Sequence, residues 1–246
     1  MKTYLNTLFA LLVMLTSITL TGCGSNNKLV DFDSVSRPYI ETAVISDYVA
    51  RHGGRVPGQV RQDLFSFNLN NRLSLFLWQN WQDGDFNERD FGFNYSLPIN
   101  DKLTLNAGYQ LWTYPNGIFG KHDEVIELNA TYNDKVTVKF DITHLLPNSQ
   151  GDGVETESGT RYYVKVSKDF SLGKIAGAEI SLTPSLSTAY VDNYYGLRGN
   201  SQITLGADLG ISKGNLSAHF FINKQGGQIS GIESFTYSGA SIGWNF

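Results

Sequence analysis

Residues 103–111 read Leu-Thr-Leu-Asn-Ala-Gly-Tyr-Gln-Leu, an unbroken alternation of apolar and polar side chains. Successive side chains of a β-strand point to opposite faces, so this stretch predicts a strand with one apolar and one polar face. The same period of two returns in 136–142, 203–211 and 216–222. No window longer than about ten residues shows helical apolar spacing, and the chain holds 25 Gly, 13 Tyr and 15 Phe. The sequence therefore predicts an all-β protein.

Alternating segments separated by Gly, Asn, Asp or Pro continue to the C-terminus and predict about twelve strands (roughly 10–12). Their approximate bounds are 39–50, 60–69, 72–81, 87–97, 102–114, 123–132, 135–145, 159–169, 176–191, 199–211, 215–224 and 231–246. The ninth segment contains Pro184, which disfavours the interior of a sheet. The links at 70–71, 98–101, 133–134, 170–174 and 212–214 are short, and those at 51–59, 115–122, 146–158 and 192–199 are mostly longer. Short turns on one rim and longer loops on the other are typical of outer-membrane proteins, so we predict an antiparallel up-and-down transmembrane β-barrel over 39–246.

The polar faces of these strands carry Gly, Asn, Thr and isolated charges, which suit a wet lumen better than the core of a soluble protein. Strand parity assigns to that lumen the pore-lining candidates Asp90, Glu127, Lys139, Asp141, Lys165, Asp208 and His219. Acids outnumber bases among them, which predicts a mild preference for cations. Small barrels can also be filled by their own side chains, so these charges could instead pair with one another as a plug.

The N-terminus has the pattern of a secretory signal over residues 1–22, with Lys2 before an apolar run that is too short to span a bilayer as a helix. Leu20-Thr21-Gly22-Cys23 resembles a bacterial lipobox, which implies cleavage before Cys23, lipidation of its thiol and a periplasmic tether over 23–38. Ordinary signal cleavage with a free cysteine is the alternative. Because Cys23 is the one cysteine in the sequence, no intramolecular disulfide can form.

The last strand ends in Ala240, Ile242, Trp244 and Phe246, alternating back from the terminal aromatic residue. This pattern resembles the C-terminal signal by which the barrel assembly machinery recognises outer-membrane proteins for insertion. An even number of strands places both chain ends on one side of the membrane, and the lipobox makes that side the periplasm. The predicted location is the bacterial outer membrane.

A family resemblance is carried by Ile45-Ser46-Asp47-Tyr48-Val49-Ala50-Arg51, which leads through a glycine-rich turn into a second strand. This segment resembles the opening of the TorF-like porins, and the likeness extends loosely over 123–170. The resemblance implies an outer-membrane barrel of porin type.

Enzymatic interpretations find little support in the sequence. Arg51-His52-Gly53-Gly54-Arg55-Val56-Pro57 resembles the signature of the histidine acid phosphatases, and His122-Asp123 resembles their proton-donor pair, but the helical layer of that fold is missing. Turn chemistry explains the glycines and prolines instead.

No histidine is followed by Ser two positions later, as in barrel lipases. We predict no enzyme, no metal site and no cofactor; the acidic loop over 148–157 does not match the spacing of a calcium loop.

The predicted function is a porin or narrow channel for small polar solutes, including cations, with outer-membrane lipid around it. The net charge of −4 argues against nucleic acid as a partner, and the oligomeric state is left open. Three alternatives remain. The first is a non-conducting structural or adhesive barrel whose loops at 115–121 and 192–199 expose Ile118, Tyr194, Tyr195 and Leu197. The others are a soluble lipoprotein carrying an apolar ligand and a membrane-embedded enzyme that acts on lipid.

Overall fold

The structure, a computed structural model, describes residues 38–115, 122–147 and 158–246. The predicted signal, the Cys23 lipidation site and the tether as far as residue 37 lie outside these residues, as do most of the loops at 115–122 and 146–158. Within the described ranges no helix is long and apolar enough to span a membrane.

Within the described ranges, thirteen strand segments form one antiparallel sheet. They are β1 (Tyr39–Val49), β2 (Arg55–Asn68), β3 (Leu73–Gln82), β4 (Asp85–Pro98), β5 (Leu103–Thr113), β6 (His122–Asn133), β7 (Thr137–Leu145), β8 (Gly159–Ser167), β9 (Phe170–Ile175), β10 (Ala178–Tyr194), β11 (Leu197–Lys213), β12 (Leu216–Gly227) and β13 (Phe235–Asn245). The sheet closes on itself where β1 pairs with β13, from Tyr39 opposite Asn245 to Ile45 opposite Gly239. The predicted all-β barrel is confirmed.

The described barrel has twelve strand positions around its circumference, because β8 and β9 lie end to end along the same edge of β10 and together occupy one position. β8 pairs with 185–192 of β10, and β9 pairs with 178–182. The break between the two segments lies opposite Pro184, whose oxygen accepts a hydrogen bond of 3.3 Å from the Lys168 N–H. Because proline has no N–H, Pro184 cannot donate a hydrogen bond back to the neighbouring strand, and the backbone hydrogen bonding between the strands is interrupted there. β10 itself continues through Pro184, since that residue still pairs with Ala207 on the other side.

Three predicted strand boundaries are wrong. The segment 170–174 was predicted as a turn but forms β9, because the chain reverses later, at Ala176 and Gly177, where both residues have positive φ. The predicted loop over 192–199 shrinks to a two-residue turn at Tyr195 and Gly196, also with positive φ. The predicted loop over 51–59 is shorter as well, since β2 begins at Arg55.

One rim of the barrel, the turn rim, carries short connections and both ends of the described barrel, which meet where the Phe246 N–H donates to the Pro38 oxygen at 3.1 Å. Two of its turns use the same device: the side-chain oxygen of Asn70 accepts from the N–H groups of residues 72 and 73, and that of Asn100 accepts from those of 102 and 103. The opposite rim, the loop rim, carries the described connections at 50–54, 83–84, 195–196 and 228–234, together with the end of β5, the start of β6, the end of β7 and the start of β8.

The outer face is apolar. Large hydrophobic residues are exposed on the outer side of strands all around the barrel. They include Val44, Phe65, Phe91, Leu105, Leu128, Phe140, Tyr162, Leu186, Ile203, Phe220 and Ile242. Strand alternation sends their sequence neighbours to the lumen. The buried residues are mixed in character, and they include Asp47, Asn80, Glu88, Asp90, Gln110, Asp123 and Arg161 besides apolar side chains. Apolar outside and polar inside is the reverse of a soluble protein.

Candidate functional site

The loop at 50–54, between β1 and β2, lies inside the lumen. A tight turn closes it: the Gly53 N–H donates to the Ala50 oxygen at 2.8 Å, and the Ala50 N–H donates to the Gly54 oxygen at 2.9 Å. Gly53 has φ +94, a conformation that side chains with a Cβ rarely adopt. Its oxygen accepts a hydrogen bond of 2.7 Å from the Gln225 amide of β12. This contact ties the loop to the β12 wall.

Arg51 extends from this loop to the wall formed by β5 and β6. Its guanidinium forms an ion pair with Glu127, donates to the Gln110 oxygen at 3.2 Å and lies 4.7 Å from the ring centre of Trp112. The Trp112 indole N–H donates to the same Gln110 oxygen at 2.8 Å. The loop is therefore held to β12 through Gln225 and to β5 and β6 through Arg51. It crosses the lumen between these strands and narrows it.

His52, the next residue of the loop, is largely enclosed. Its ring centre is 5.4 Å from that of Tyr195, and its Nδ1 has no hydrogen-bond partner among the described residues. Burial lowers the pKa of His52 to about 4, and the nearby positive charge of Arg161 contributes. The ring is therefore neutral at physiological pH.

A cluster of aromatic and aliphatic side chains fills the lumen on the loop-rim side. Its buried members are Trp112, Tyr114, Val125, Leu145, Val191 and Tyr194, and Tyr195, Leu197 and Ile229 pack against them. The hydroxyls of Tyr195 and Tyr114 both donate to Asp123, at 2.5 and 3.1 Å. The prediction that Tyr194, Tyr195 and Leu197 are exposed contacts is wrong for Tyr194, which is 0% exposed, and the other two are half-buried. Their turn is short enough to fold inward; Ile118 lies outside the described residues.

Two cavities flank the 50–54 loop. Cavity one, of about 490 Å³, faces β3 to β5 and holds the carboxyl groups of Glu88 and Asp90 among aromatic rings. Cavity two, of about 310 Å³, faces β8 and β10 to β12 and holds Arg161 and Lys165 among hydroxyl and amide groups. Ala50 and Arg51 line both, so the loop separates an acidic compartment from a basic one.

The residues predicted to line the pore share the strand face opposite the exposed apolar residues, but the structure does not bring them into one group. Asp90 lines cavity one and Lys165 lines cavity two. Glu127 holds Arg51, Lys139 pairs with Asp141 at 3.3 Å, and the Asp208 carboxylate contacts His219 Nδ1 at 2.9 Å. Several of these predicted pore-lining charges are thus paired with other side chains of the barrel. Their role in conduction remains a prediction.

Sequence reasoning missed several residues of the site. Glu88 has the same strand parity as Asp90, and Arg161 has that of Lys165, so the signal that identified one of each pair could have identified the other. Arg51 and His52 carried no such signal, because a loop has no parity and its direction depends on distant partners.

The segment that resembles a phosphatase signature does not form a phosphate site. Arg51 is paired with Glu127, and Arg55 is paired with Asp47 at 2.7 Å. His122 has the opposite strand parity to Asp123, whose carboxylate faces the interior and accepts from Tyr195. Both arginines are already neutralised by carboxylates, and the positive φ of the turn explains Gly53.

The residues of the predicted insertion signal lie at the turn rim. Ile242, Trp244 and Phe246 are exposed on the outer face of β13 and just after it, in line with Ala240. Recognition by the assembly machinery remains a prediction.

The fold is similar to those of two solved porins. A KdgM porin in complex with disordered oligogalacturonate matches with a TM-score of 0.57 and 13% identity, over 85% of this chain and 99% of that one. A NanC porin matches with a TM-score of 0.51 and 9% identity, over 84% of this chain and 98% of that one. No protein-family model and no curated protein matches the sequence. The fold resembles that of these two porins, whereas the resemblance to TorF-like porins gains no support.

Proposed function

We propose that this protein is an outer-membrane channel for small polar solutes, narrowed by the loop at 50–54. The observation that carries the proposal is the closed barrel with an apolar outer face and a lumen that contains charged groups and two cavities. Lipid would surround the outer face, and water would occupy the cavities. Arg51, held by Glu127 and Gln110, forms the constriction.

The proposal includes an orientation and an anchor. A lipid on Cys23 would hold the N-terminus at the periplasmic face, and residues 23–38 would lead into β1. Pro38 and Phe246 are hydrogen-bonded neighbours at the turn rim, so this rim would face the periplasm. The loop rim, with the aromatic cluster beneath it, would face outward.

We expect weak cation selectivity. Among the described residues, the carboxylates with inward strand parity outnumber the inward bases. The carboxylates include Asp47, Glu88, Asp90, Asp123, Glu127, Asp141 and Asp208, and the bases are Arg55, Lys139, Arg161 and Lys165 on the strands and Arg51 in the loop. Rings of carboxylates favour cations in a narrow aqueous pore. Because many of these charges are paired, the preference should be mild.

The test is single-channel recording of the folded protein in a planar bilayer, with a salt gradient to read ion selectivity. Discrete steps with a modest cation preference are expected. Replacing Arg51 by Ala should enlarge the steps, by about twofold, because it removes the side chain that crosses the lumen. The matched control is Arg61→Ala: Arg61 also pairs with a carboxylate, Asp63 at 3.0 Å, and also lies over a tryptophan, but on the outer face.

A silent wild-type barrel that conducts as Arg51→Ala would identify a closed channel. Silence of both proteins, when each is inserted and folded, would contradict the proposal and favour the non-conducting structural barrel. Clear anion selectivity would contradict the expected cation preference but not the proposal that the protein is a channel.

Cavity two favours a second class of solute. Arg161 is buried and its Nε has no hydrogen-bond partner among the described residues, while Lys165 lines the same compartment beside Ser187, Thr204 and Asn223. Buried guanidinium and hydroxyl groups suit a carboxylated sugar, the kind of ligand found with the KdgM porin. Current block by oligogalacturonate that is lost in Arg161→Gln would support this candidate, and absence of block would remove it.

A further inference from the structure

Glu88 and Asp90 form a buried pair of carboxyl groups on the inner face of β4. The two residues are two positions apart, so both side chains point into the lumen. Each is 6% exposed, and both line cavity one. A carboxyl group removed from water to this extent requires partners, or its burial is costly.

The described partners do not satisfy this pair. The Tyr48 hydroxyl donates to Glu88, but Asp90 Oδ1 is buried in the cavity wall with no hydrogen-bond partner among the described residues. Neither carboxyl group forms an ion pair with a base in the described ranges. Arg51, which also lines cavity one, forms its ion pair with Glu127 instead. The cavity therefore presents one carboxyl oxygen that lacks a donor, on a pair of carboxyl groups that form no ion pair among the described residues.

Two tryptophans flank the unsatisfied carboxyl group. In the sheet register Asp90 lies opposite Trp78 of β3 on one side and opposite Trp112 of β5 on the other. Both indoles line cavity one, and Phe76 and Tyr48 add to its aromatic wall. Tryptophan is the side chain whose ring face attracts cations most strongly, and more so when the site is shielded from water.

We propose that cavity one binds a small organic cation, an ammonium or guanidinium group carried on an apolar body. The charged group would lie against Asp90 and Glu88, and the apolar body would pack on Trp78 and Phe76. A volume of about 490 Å³ lies within the range of small-molecule sites. Arg51 already shows this chemistry within the chain, since its guanidinium contacts a carboxylate and a tryptophan ring together.

This inference deepens the proposed channel function, on which it rests for the solute's route, by naming the solute class. The binding step itself requires no current. Equilibrium binding and conductance can therefore be measured separately, and each can fail without the other.

The experiment compares three probes of nearly the same shape: phenethylammonium, neutral phenethyl alcohol and anionic phenylacetate. Binding to the folded protein in detergent is followed by tryptophan fluorescence and by calorimetry. We expect phenethylammonium to bind about tenfold more tightly than the alcohol, and phenylacetate to bind least. Equal affinity for the ammonium and the alcohol would overturn the proposal, because it would show an aromatic pocket without cation recognition.

The variant Glu88→Gln/Asp90→Asn keeps the size of both side chains and removes both charges. It should weaken phenethylammonium binding about tenfold and leave the alcohol unchanged. The matched control is Asp208→Asn, which also removes an inward carboxylate but lies outside cavity one. An equal loss in the control would overturn the proposal. If the double variant does not fold, the comparison of probes on the wild type still decides.

The outcomes separate the two proposals. Selective binding by a barrel that passes no current would support the site and contradict the channel. A conducting barrel that does not prefer phenethylammonium would support the channel and contradict the site.

Discussion

Single residues decide how far the lumen of this barrel is open. Arg51 would be an ordinary loop arginine by sequence, yet its contacts with Glu127, Gln110 and Trp112 make it the side chain that crosses the passage. Asp90 illustrates the opposite case. Its parity predicted an inward carboxylate, and the structure adds the two flanking tryptophans that give this carboxylate a chemical preference.

His52 makes the loop sensitive to acid. Its pKa is lowered to about 4 from an ordinary value of 6.5, so the folded loop favours the neutral ring. The stabilisation is therefore fully present above pH 6.5 and is lost as pH falls through 4. We expect the wild-type loop to loosen in this window, seen as a change in conductance or current noise between pH 7 and pH 4.

The control for this prediction is His52→Gln, which stays uncharged at every pH. Carboxylates titrate in the same range and will contribute to any acid response, so the measured quantity is the difference between the two proteins. An identical pH profile for wild type and His52→Gln would show that His52 is not the group responsible.

Among the elements, the β1–β2 connection is unusual because it is short and folds inward. Gly53 permits the positive φ of its turn, and a Cβ there would meet the Gln202 amide and lie 3.2 Å from Ile232. Gly84, in the β3–β4 turn, has a similar φ of +86, but a Cβ there would meet nothing within 4 Å. The two glycines share the backbone requirement and differ in their surroundings.

We therefore expect different results from Gly53→Ala and Gly84→Ala. Both should cost about 1 kcal/mol of folding free energy for the strained backbone. Only Gly53→Ala should also push the loop away from the β11–β12 wall and change the conductance. The measurements are thermal unfolding in detergent and single-channel recording. Equal conductance changes in both variants would contradict this role for the loop's packing.

The whole molecule is organised by its outer face. The exposed apolar residues surround the barrel, and closure between β1 and β13 leaves that seam without a free edge. In water such a face would cause aggregation, whereas in a bilayer it is solvated by lipid. The barrel should therefore hold its place in the membrane without help from a lipid anchor.

This expectation can be tested by producing the chain from Gly24 onward behind an ordinary cleavable signal, so that Cys23 is absent. The protein should remain in the outer-membrane fraction, resist alkaline extraction and require detergent for release. Recovery of the folded protein in the soluble periplasmic fraction would contradict an integral barrel and favour the soluble lipoprotein.

The sequence predicted the barrel better than it predicted the ends of the strands. Alternation in stretches such as 103–111 specifies faces over a whole strand, because a one-residue shift would expose every polar side chain to lipid. Turns carry weaker signals. Gly173 and Gly199 both have the positive φ typical of turns, but they lie inside β9 and β11, and the chain reverses instead at Ala176–Gly177 and Tyr195–Gly196.

The candidate site was predictable in part for the same reason. Asp90, Glu127 and Lys165 follow from parity, which is a local property of a strand. The pairing of Glu127 with Arg51 joins residues 76 positions apart in the sequence, and no local pattern carries that information. The inward fold of Tyr194 and Tyr195 depends likewise on the cluster supplied by β5, β6 and β7.

By itself the sequence determined an all-β chain whose strands have one apolar and one polar face, and hence a barrel that is apolar outside and polar within. It did so because the two faces of a strand are encoded by neighbouring residues. Only the tertiary structure decided which inward charges pair, which remain unsatisfied and which loop crosses the lumen. Those outcomes depend on side chains from distant strands that meet only when the barrel closes.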